Sequence, residues 1–208
     1  FLDLTKILNL SNTDFIRTTE DRHHKTVQKL WKILEEKKFI YLSKYSGWYS
    51  VSDEAFYTES EIIEKDKIKL CEATGSVVEW VEEESYFFKL SEFQNLLIKH
   101  YEDNPEFIQP SSRRNEVMSF VKGGLNDLSI SRNSFKWGIS VPNSKNHIVY
   151  VWLDALTNYL TATNYFDDNS FWPADVHIIG KDILRFHAVY WPAFLLAAEI
   201  PLPKKIFG

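Results

Sequence analysis

An α/β fold with an inserted β-rich piece is what this sequence predicts, and three observations predict it. Ile148–Leu153 and Val176–Ile179 are nearly continuous apolar runs that lead into helical spacing, the order of strands feeding helices in an α/β sheet. An earlier strand-like stretch, Phe15–Thr19, rich in β-branched residues, feeds a helix in the same way. Between these, from Phe39, the texture turns aromatic and β-like, then charged. The 208 residues suffice for one large domain or two small ones, each with a core.

Composition narrows the class. With 44% hydrophobic and 15% aromatic residues the chain is globular rather than disordered. The net charge of −5 supplies no overall basic field, so DNA is not an expected partner, while a local basic patch stays compatible. Cys71 is the one cysteine, which excludes an internal disulfide and argues against a cysteine-based zinc site. An intracellular compartment fits that usage. No run of eighteen apolar residues and no basic-then-apolar leader occurs, so neither a membrane span nor a signal peptide is expected. The chain begins at Phe1, not Met, and stops at Gly208 directly after an apolar run, so both ends read as cut.

In order, Phe1–Leu10 reads as the tail of a helix. Thr19 or Asp21 is placed to cap a helix carrying Val27, Leu30, Trp31 and Leu34 on one side and Lys29, Lys32, Glu35, Glu36 and Lys37 on the other. Ile40–Leu42 and Gly47–Ser52 read as short strands around an aromatic turn, residues 59–72 as a solvated charged excursion, and Val77–Val81 as a further strand. Helical spacing returns at Leu90, Phe93, Leu96, Leu97 and Tyr101 and stops at Asn104-Pro105. Pro110-Ser111-Ser112 opens a helix stopped by Gly123-Gly124. Leu128–Ser131 alternates like a strand and meets Arg132. After the apolar run at 148–153, Asp154 precedes a helix from about Ala155 to Thr163. Val176–Ile179 then ends at Gly180, helical spacing runs from Asp182 to about Ala198, and Ile206-Phe207 starts one more strand.

Two strand-to-helix units thus resemble each other. Trp152, Asp154, Ala155 and Tyr159 sit at the first junction; Gly180, Asp182, His187 and Trp191 sit at the second. In open α/β sheets ligands bind beyond the carboxyl ends of strands and beside helix N-termini. If the two strands are neighbours, both sets converge on one aromatic crevice with a few polar anchors, the usual lining for a small ligand. Aromatic edges suit a thioether, since sulfur over a ring contributes roughly 0.3–1.5 kcal/mol. A single His or Trp on an apolar helix face is ordinarily core; two such sets at strand ends point to a ligand. Weaker candidates are the polar cluster Arg17, Glu20, Asp21, Arg22, His23 and His24, whose adjacent histidines face different ways and make no joint metal site. The run Glu82–Glu84 reads as solvated, and Arg113-Arg114 as surface arginines near a helix start. No glycine-rich phosphate loop is present.

Longer motifs carry a resemblance over essentially the whole chain. They are Thr13–Asp21, Gly47–Glu54, Glu83–Phe88, Asp127–Arg132, Tyr150–Tyr159, and Ile179–Asp182 through Phe186-His187 to Trp191-Pro192. On these the chain resembles the methionyl-tRNA synthetases, class I aminoacyl-tRNA synthetases, of the bacterial or organellar kind.

The resemblance implies a Rossmann-type catalytic domain interrupted by a connective, β-rich plus helical, insertion. Residues 1–39 and 133–208 would be Rossmann parts and 40–132 the insertion and its return. It implies a methionine pocket of Trp152, Ala155, Tyr159, His187 and Trp191, with the two tryptophans closing around the side chain. Gly180 and Asp182 would approach adenosine, with Asp182 on the ribose; Asp154 and Arg132 would lie at the active-site border. It implies activation of methionine by ATP with Mg²⁺ as substrate, then transfer to tRNA(Met), in bacterial cytoplasm or an organellar matrix. The class signatures His-Ile-Gly-His and Lys-Met-Ser-Lys-Ser, which hold ATP phosphates in the family, occur nowhere in these 208 residues. The zinc-binding cysteines of some relatives are also missing, so zinc is not expected. Competing readings are an isoleucine, valine, leucine or cysteine enzyme of the class, and a non-catalytic RNA- or ligand-binding module, which the acidic balance disfavours.

Overall fold

The computed structural model describes residues 2–53, 55–65, 67–134, 136–168 and 170–208. Phe1 of the expected first helix, Glu54 of the Gly47–Glu54 motif and Asp66 of the charged excursion lie outside the described residues, as does the side chain of Glu83 in the acidic run. In chain order the elements are α1 (Leu2–Ile7), α2 (Asp21–Glu36), β1 (Ile40–Ser50), β2 (Ala55–Tyr57), β3 (Ile62–Lys65), β4 (Ile68–Cys71) and β5 (Glu79–Phe88). Then come α3 (Gln94–Asp103), β6 (Ile108–Gln109), α4 (Ser111–Lys122), β7 (Leu128–Ser129), β8 (Ser131–Arg132), β9 (Ile148–Val149), α5 (Val151–Ala162), β10 (His177–Ile178), α6 (Trp191–Ala197) and β11 (Ile206–Phe207). The chain divides into two compact units, Phe1–Tyr41 with Phe87–Gly208, and Leu42–Tyr86. Of residues 40–132, read from the sequence as an insertion and its return, Leu42–Tyr86 makes up the smaller unit and the others group with the larger one.

In the larger unit β10, β11 and β6 form a parallel sheet, with His177 opposite Ile206 and Ile206 opposite Ile108. Strand alternation buries these three residues and turns Ile178 and Phe207 outward. Parallel strands need a long crossover, and the segment between β10 and β11, including α6, supplies it. α2 packs on α5 because Val27, Leu30, Trp31 and Leu34 recur at helical spacing and meet Leu153, Leu156 and Leu160, all buried. Each such side chain contributes about 1.5–3 kcal/mol on burial. α3 and α4 pack together through Leu97, Tyr101, Val117 and Val121, and Phe88 joins them to α6 through Phe93 and Phe194, with ring centroids 5.4 and 4.8 Å away.

Several expected elements differ. Phe15–Thr19 forms no strand, because side chains take its amides: Asp14 accepts from Phe15 N–H and Glu20 from Arg17 N–H. That use of Glu20 also displaces the expected caps; Glu20 is the N-cap of α2 and Asp21 its first residue. The two strands around an aromatic turn are one strand, β1. Only Ile148 and Val149 of the apolar run at 148–153 pair as a strand; Tyr150 caps α5, which begins at Val151, so Trp152 and Asp154 are helical. The strand β6, two residues long, had no readable pattern.

The smaller unit is built of hairpins: β1 with β2, pairing Trp48 with Tyr57, and β3 with β4, pairing Ile62 with Cys71. The charged excursion is therefore folded, though most of β3 remains exposed. Asp53 is a hub. Its carboxylate accepts from the hydroxyls of Ser76, Thr74 (2.7 Å) and Tyr57 (2.7 Å), and these bonds, Ser76's foremost, hold its pKa down at about 2.

Candidate functional site

α5 presents Trp152, Ala155 and Tyr159 at i, i+3 and i+7, one face of a helix, beside the buried face of Leu153, Leu156 and Leu160. The second set lies on a more broken path than the expected single helix. β10 leads to Gly180, which precedes a 3-10 turn at Lys181–Ile183. A π-helical turn follows at Phe186–Tyr190, closed by Trp191 N–H donating to Phe186 O, and α6 begins with Pro192 in its first turn. Single π-helical turns are frequent at functional sites. The strands leading into the two sets are not neighbours: β9 pairs antiparallel with β8, not with β10. Convergence comes from α5 packing against the π-helical turn.

Tyr159 is at the centre. Its hydroxyl lies 2.7 Å from His187 Nε2, and His187 Nδ1 lies 3.0 Å from Ile183 O. A carbonyl can only accept, so the hydrogen sits on Nδ1; Nε2 is then the acceptor and Tyr159 the donor. Burial keeps both groups uncharged. It lowers the His187 pKa, an effect the Ile183 bond partly offsets, and raises that of Tyr159 to about 12. Rings surround this pair. His177 lies 4.0 Å from the Tyr159 ring, Trp191 6.2 Å from it, and Trp172 edge-on to Trp191 at 6.2 Å. His177 Nε2 and Trp191 Nε1 are buried with no hydrogen-bond partner among the described residues.

Trp152 has a different neighbour from the expected one. It stacks flat on Phe186, 3.5 Å and 6° apart, rather than facing Trp191. Phe186 in turn lines a cleft of about 500 Å³ shared with Asp182, Arg113, Glu116, Arg185 and Tyr190. Gly180 and Asp182 are exposed beside it. Arg113 pairs with Glu116 at 2.9 Å, whereas Arg114 turns inward and donates to Tyr101 O.

The two border residues are committed to internal partners. Asp154 accepts from buried His23 Nε2 at 2.7 Å, and His23 Nδ1 meets Thr161, so this polar set ties α2 to α5. Asp154 also lines a small cleft of about 200 Å³ with Thr18, His24 and Trp137. Arg132 is buried, donates to Ser129 Oγ and Ser131 O, and lies over the Tyr150 ring at 4.5 Å. Sequence reasoning missed His177, Trp172 and Phe186 as neighbours of the pocket. His177 was hidden by its place in a short strand; Phe186 preceded a chosen residue, and its ring could be assigned only once the π-helical turn was known.

The histidines give the cluster a pH dependence. Burial, reinforced by nearby His187, holds His177 at about 4 against its ordinary 6.5. Between those values an unfolded chain binds the proton and the fold does not, so stability is complete above about pH 6.5 and falls toward pH 4. In the full-length protein, His177→Gln is expected to flatten the fall in unfolding midpoint across that window. A midpoint profile parallel to the parent's would contradict this.

Comparison with known proteins places these features in a family. The model of class I tRNA synthetases (M) matches residues 1–208. The chain is 57% identical over 214 residues to the methionine–tRNA ligase of Rhizobium meliloti, covering 100% of this chain and 41% of that protein. It is 61% identical over 210 residues to that of Rickettsia prowazekii, covering 99% and 41%. Among solved structures it is similar to Mycobacterium tuberculosis methionyl-tRNA synthetase bound by methionyl-adenylate, with a TM-score of 0.95, 54% identity, and coverage of 100% of this chain and 42% of that one. The chain thus spans about two fifths of the length of these relatives. Its parallel sheet is part of a class I synthetase catalytic domain, and the chain belongs to the class I (M) tRNA synthetases.

Proposed function

We propose that the full-length protein is a methionine–tRNA ligase and that this chain supplies its methionine pocket. The observation that carries the reading is the uncharged Tyr159–His187 pair enclosed by Trp191, Trp172 and His177. Such a cluster accepts an apolar, polarisable side chain and penalises a charged one, because its rings carry no charge and burial keeps both histidines neutral. The orphaned Trp191 N–H supports the same reading, since a thioether sulfur is a weak acceptor. The 54%-identical relative bound by methionyl-adenylate supports it independently.

In the proposed reaction a methionine carboxylate oxygen attacks the α-phosphorus of ATP, the bond to the β-phosphate oxygen breaks, and pyrophosphate leaves. A terminal ribose hydroxyl of tRNA(Met) then attacks the methionyl carbonyl and AMP leaves. Trp152, Ala155, Tyr159, His187 and Trp191 hold the side chain, and the rigid Ile183–His187–Tyr159 relay keeps the pocket preorganised. Gly180 and Asp182 receive the adenosine of ATP, which arrives with Mg²⁺. No described helix is long and apolar enough to cross a membrane; cytoplasm or an organellar matrix is the proposed compartment.

Gly180 offers the test. Its φ of −71° and ψ of 144° suit any residue, and an added Cβ would meet nothing within 4 Å. The fold therefore does not require glycine there, whereas a nucleotide passing close over the backbone would. Gly180→Ala in the full-length protein is expected to leave the unfolding midpoint unchanged and raise the ATP KM at least about tenfold, with the methionine KM little altered. An unchanged ATP KM would count against the assignment.

A further inference from the structure

His23 links two turns of α5 at once. It lies in the first turn of α2 and is fully buried. Its Nε2 is 2.7 Å from Asp154 Oδ1, and a carboxylate oxygen accepts, so Nε2 is the donor. Its Nδ1 is 2.9 Å from the Thr161 hydroxyl. Asp154, Thr157 and Thr161 stand at i, i+3 and i+7, so they share one face of α5, and His23 spans that face from end to end. The pocket positions Trp152, Ala155 and Tyr159 repeat the same intervals two residues earlier, about 200° around the axis and so on the other side of the helix. Apolar contacts hold α2 against α5, but they are non-directional and set the rotation of α5 only loosely. The two hydrogen bonds to His23 are directional and set it closely. Tyr159 carries that setting onward, because its hydroxyl meets His187 Nε2 at 2.7 Å.

We propose that His23 is a positioning residue: through Asp154 and Thr161 it sets the rotation of α5, and with it the placing of Trp152, Ala155 and Tyr159 around the methionine side chain. The latch itself stands on the geometry; its consequence for methionine rests on the ligase reading. A shift of about 1 Å in a positioning group can cost about a hundredfold. Two substitutions separate the latch from bulk packing. The amide nitrogen of Gln reaches about where Nε2 stands and can still donate to Asp154. That of Asn stops near Nδ1 and leaves Asp154 without this donor.

The experiment uses the full-length protein, with the kinetics of methionine-dependent ATP–pyrophosphate exchange, hydrogen–deuterium exchange of α5 amides 155–162, and unfolding midpoints. His23→Asn is expected to raise the methionine KM and speed α5 amide exchange, each at least about tenfold, with the ATP KM within about twofold. His23→Gln is expected to keep the methionine KM within about threefold of the parent. Asp154→Ala is expected to match His23→Asn, and combining the two to add less than about twofold to either. An unchanged methionine KM in folded His23→Asn overturns the proposal. So does His23→Gln as impaired as His23→Asn, or a double variant whose effects multiply in full. If His23→Asn does not fold, Asp154→Ala against His23→Gln decides in the same way. Absence of methionine-dependent exchange in the parent would fail the ligase reading instead, and α5 amide exchange would still decide the latch.

Discussion

Trp191→Ala in the full-length protein is expected to raise the methionine KM about a hundredfold while the ATP KM stays within about twofold. The indole is fully buried and sits against Tyr159 and Trp172, so its removal opens the apolar wall of the pocket and leaves the Gly180–Asp182 side untouched. Truncating so large a buried ring also costs roughly 3–5 kcal/mol of stability. Trp191→Phe separates the two effects, because it keeps an aromatic wall in a smaller volume; an intermediate methionine KM with a near-parental unfolding midpoint is expected. Steady-state kinetics on both variants check this. Methionine affinity that is unchanged in a folded variant would make Trp191 core and nothing more.

The second large effect is a loss. The 208-residue chain alone is expected to show no methionine-dependent ATP–pyrophosphate exchange, with a rate at background and at least about a thousandfold below the full-length protein. The reason is chemical. Transfer at phosphorus relies on positioning and on stabilising charge as it develops on phosphate oxygens. Within this sequence neither phosphate-holding signature of the class occurs. Near the cleft, Arg113 is already paired with Glu116, and Arg185 lies over the Phe120 ring. Methionine-dependent exchange by the purified chain would show that the described residues suffice for activation.

Part of the candidate site's geometry was legible because helical spacing is. Trp152, Ala155 and Tyr159 recur at i, i+3 and i+7, and that spacing does place them on one face of α5. Tyr159 and His187 meet as the convergence of the two sets requires. What spacing could not supply is backbone detail. Helical periodicity over 182–198 conceals a change from 3-10 to π to α winding, because all three leave apolar residues at intervals of three to five. Sheet neighbours were also illegible: β9 pairs with β8, and β6, the partner of β11, is too short to leave a pattern. Side-chain rivalry accounts for the absent strand at Phe15–Thr19, where Asp14 and Glu20 capture the amides a ladder would need. Asp154 shows the limit of reading position as role. It stands at a helix start beside pocket residues, yet its carboxylate serves buried His23.

An uncharged aromatic cluster around Tyr159, His187 and Trp191 is proposed to select methionine. Isothermal titration of the full-length protein against methionine, isoleucine, valine, leucine and cysteine tests it most directly. Methionine is expected to bind at least about a hundredfold tighter than any of the other four, the discrimination that pocket shape and sulfur–ring contact can supply. Binding of isoleucine, valine, leucine or cysteine with the affinity of methionine would contradict it.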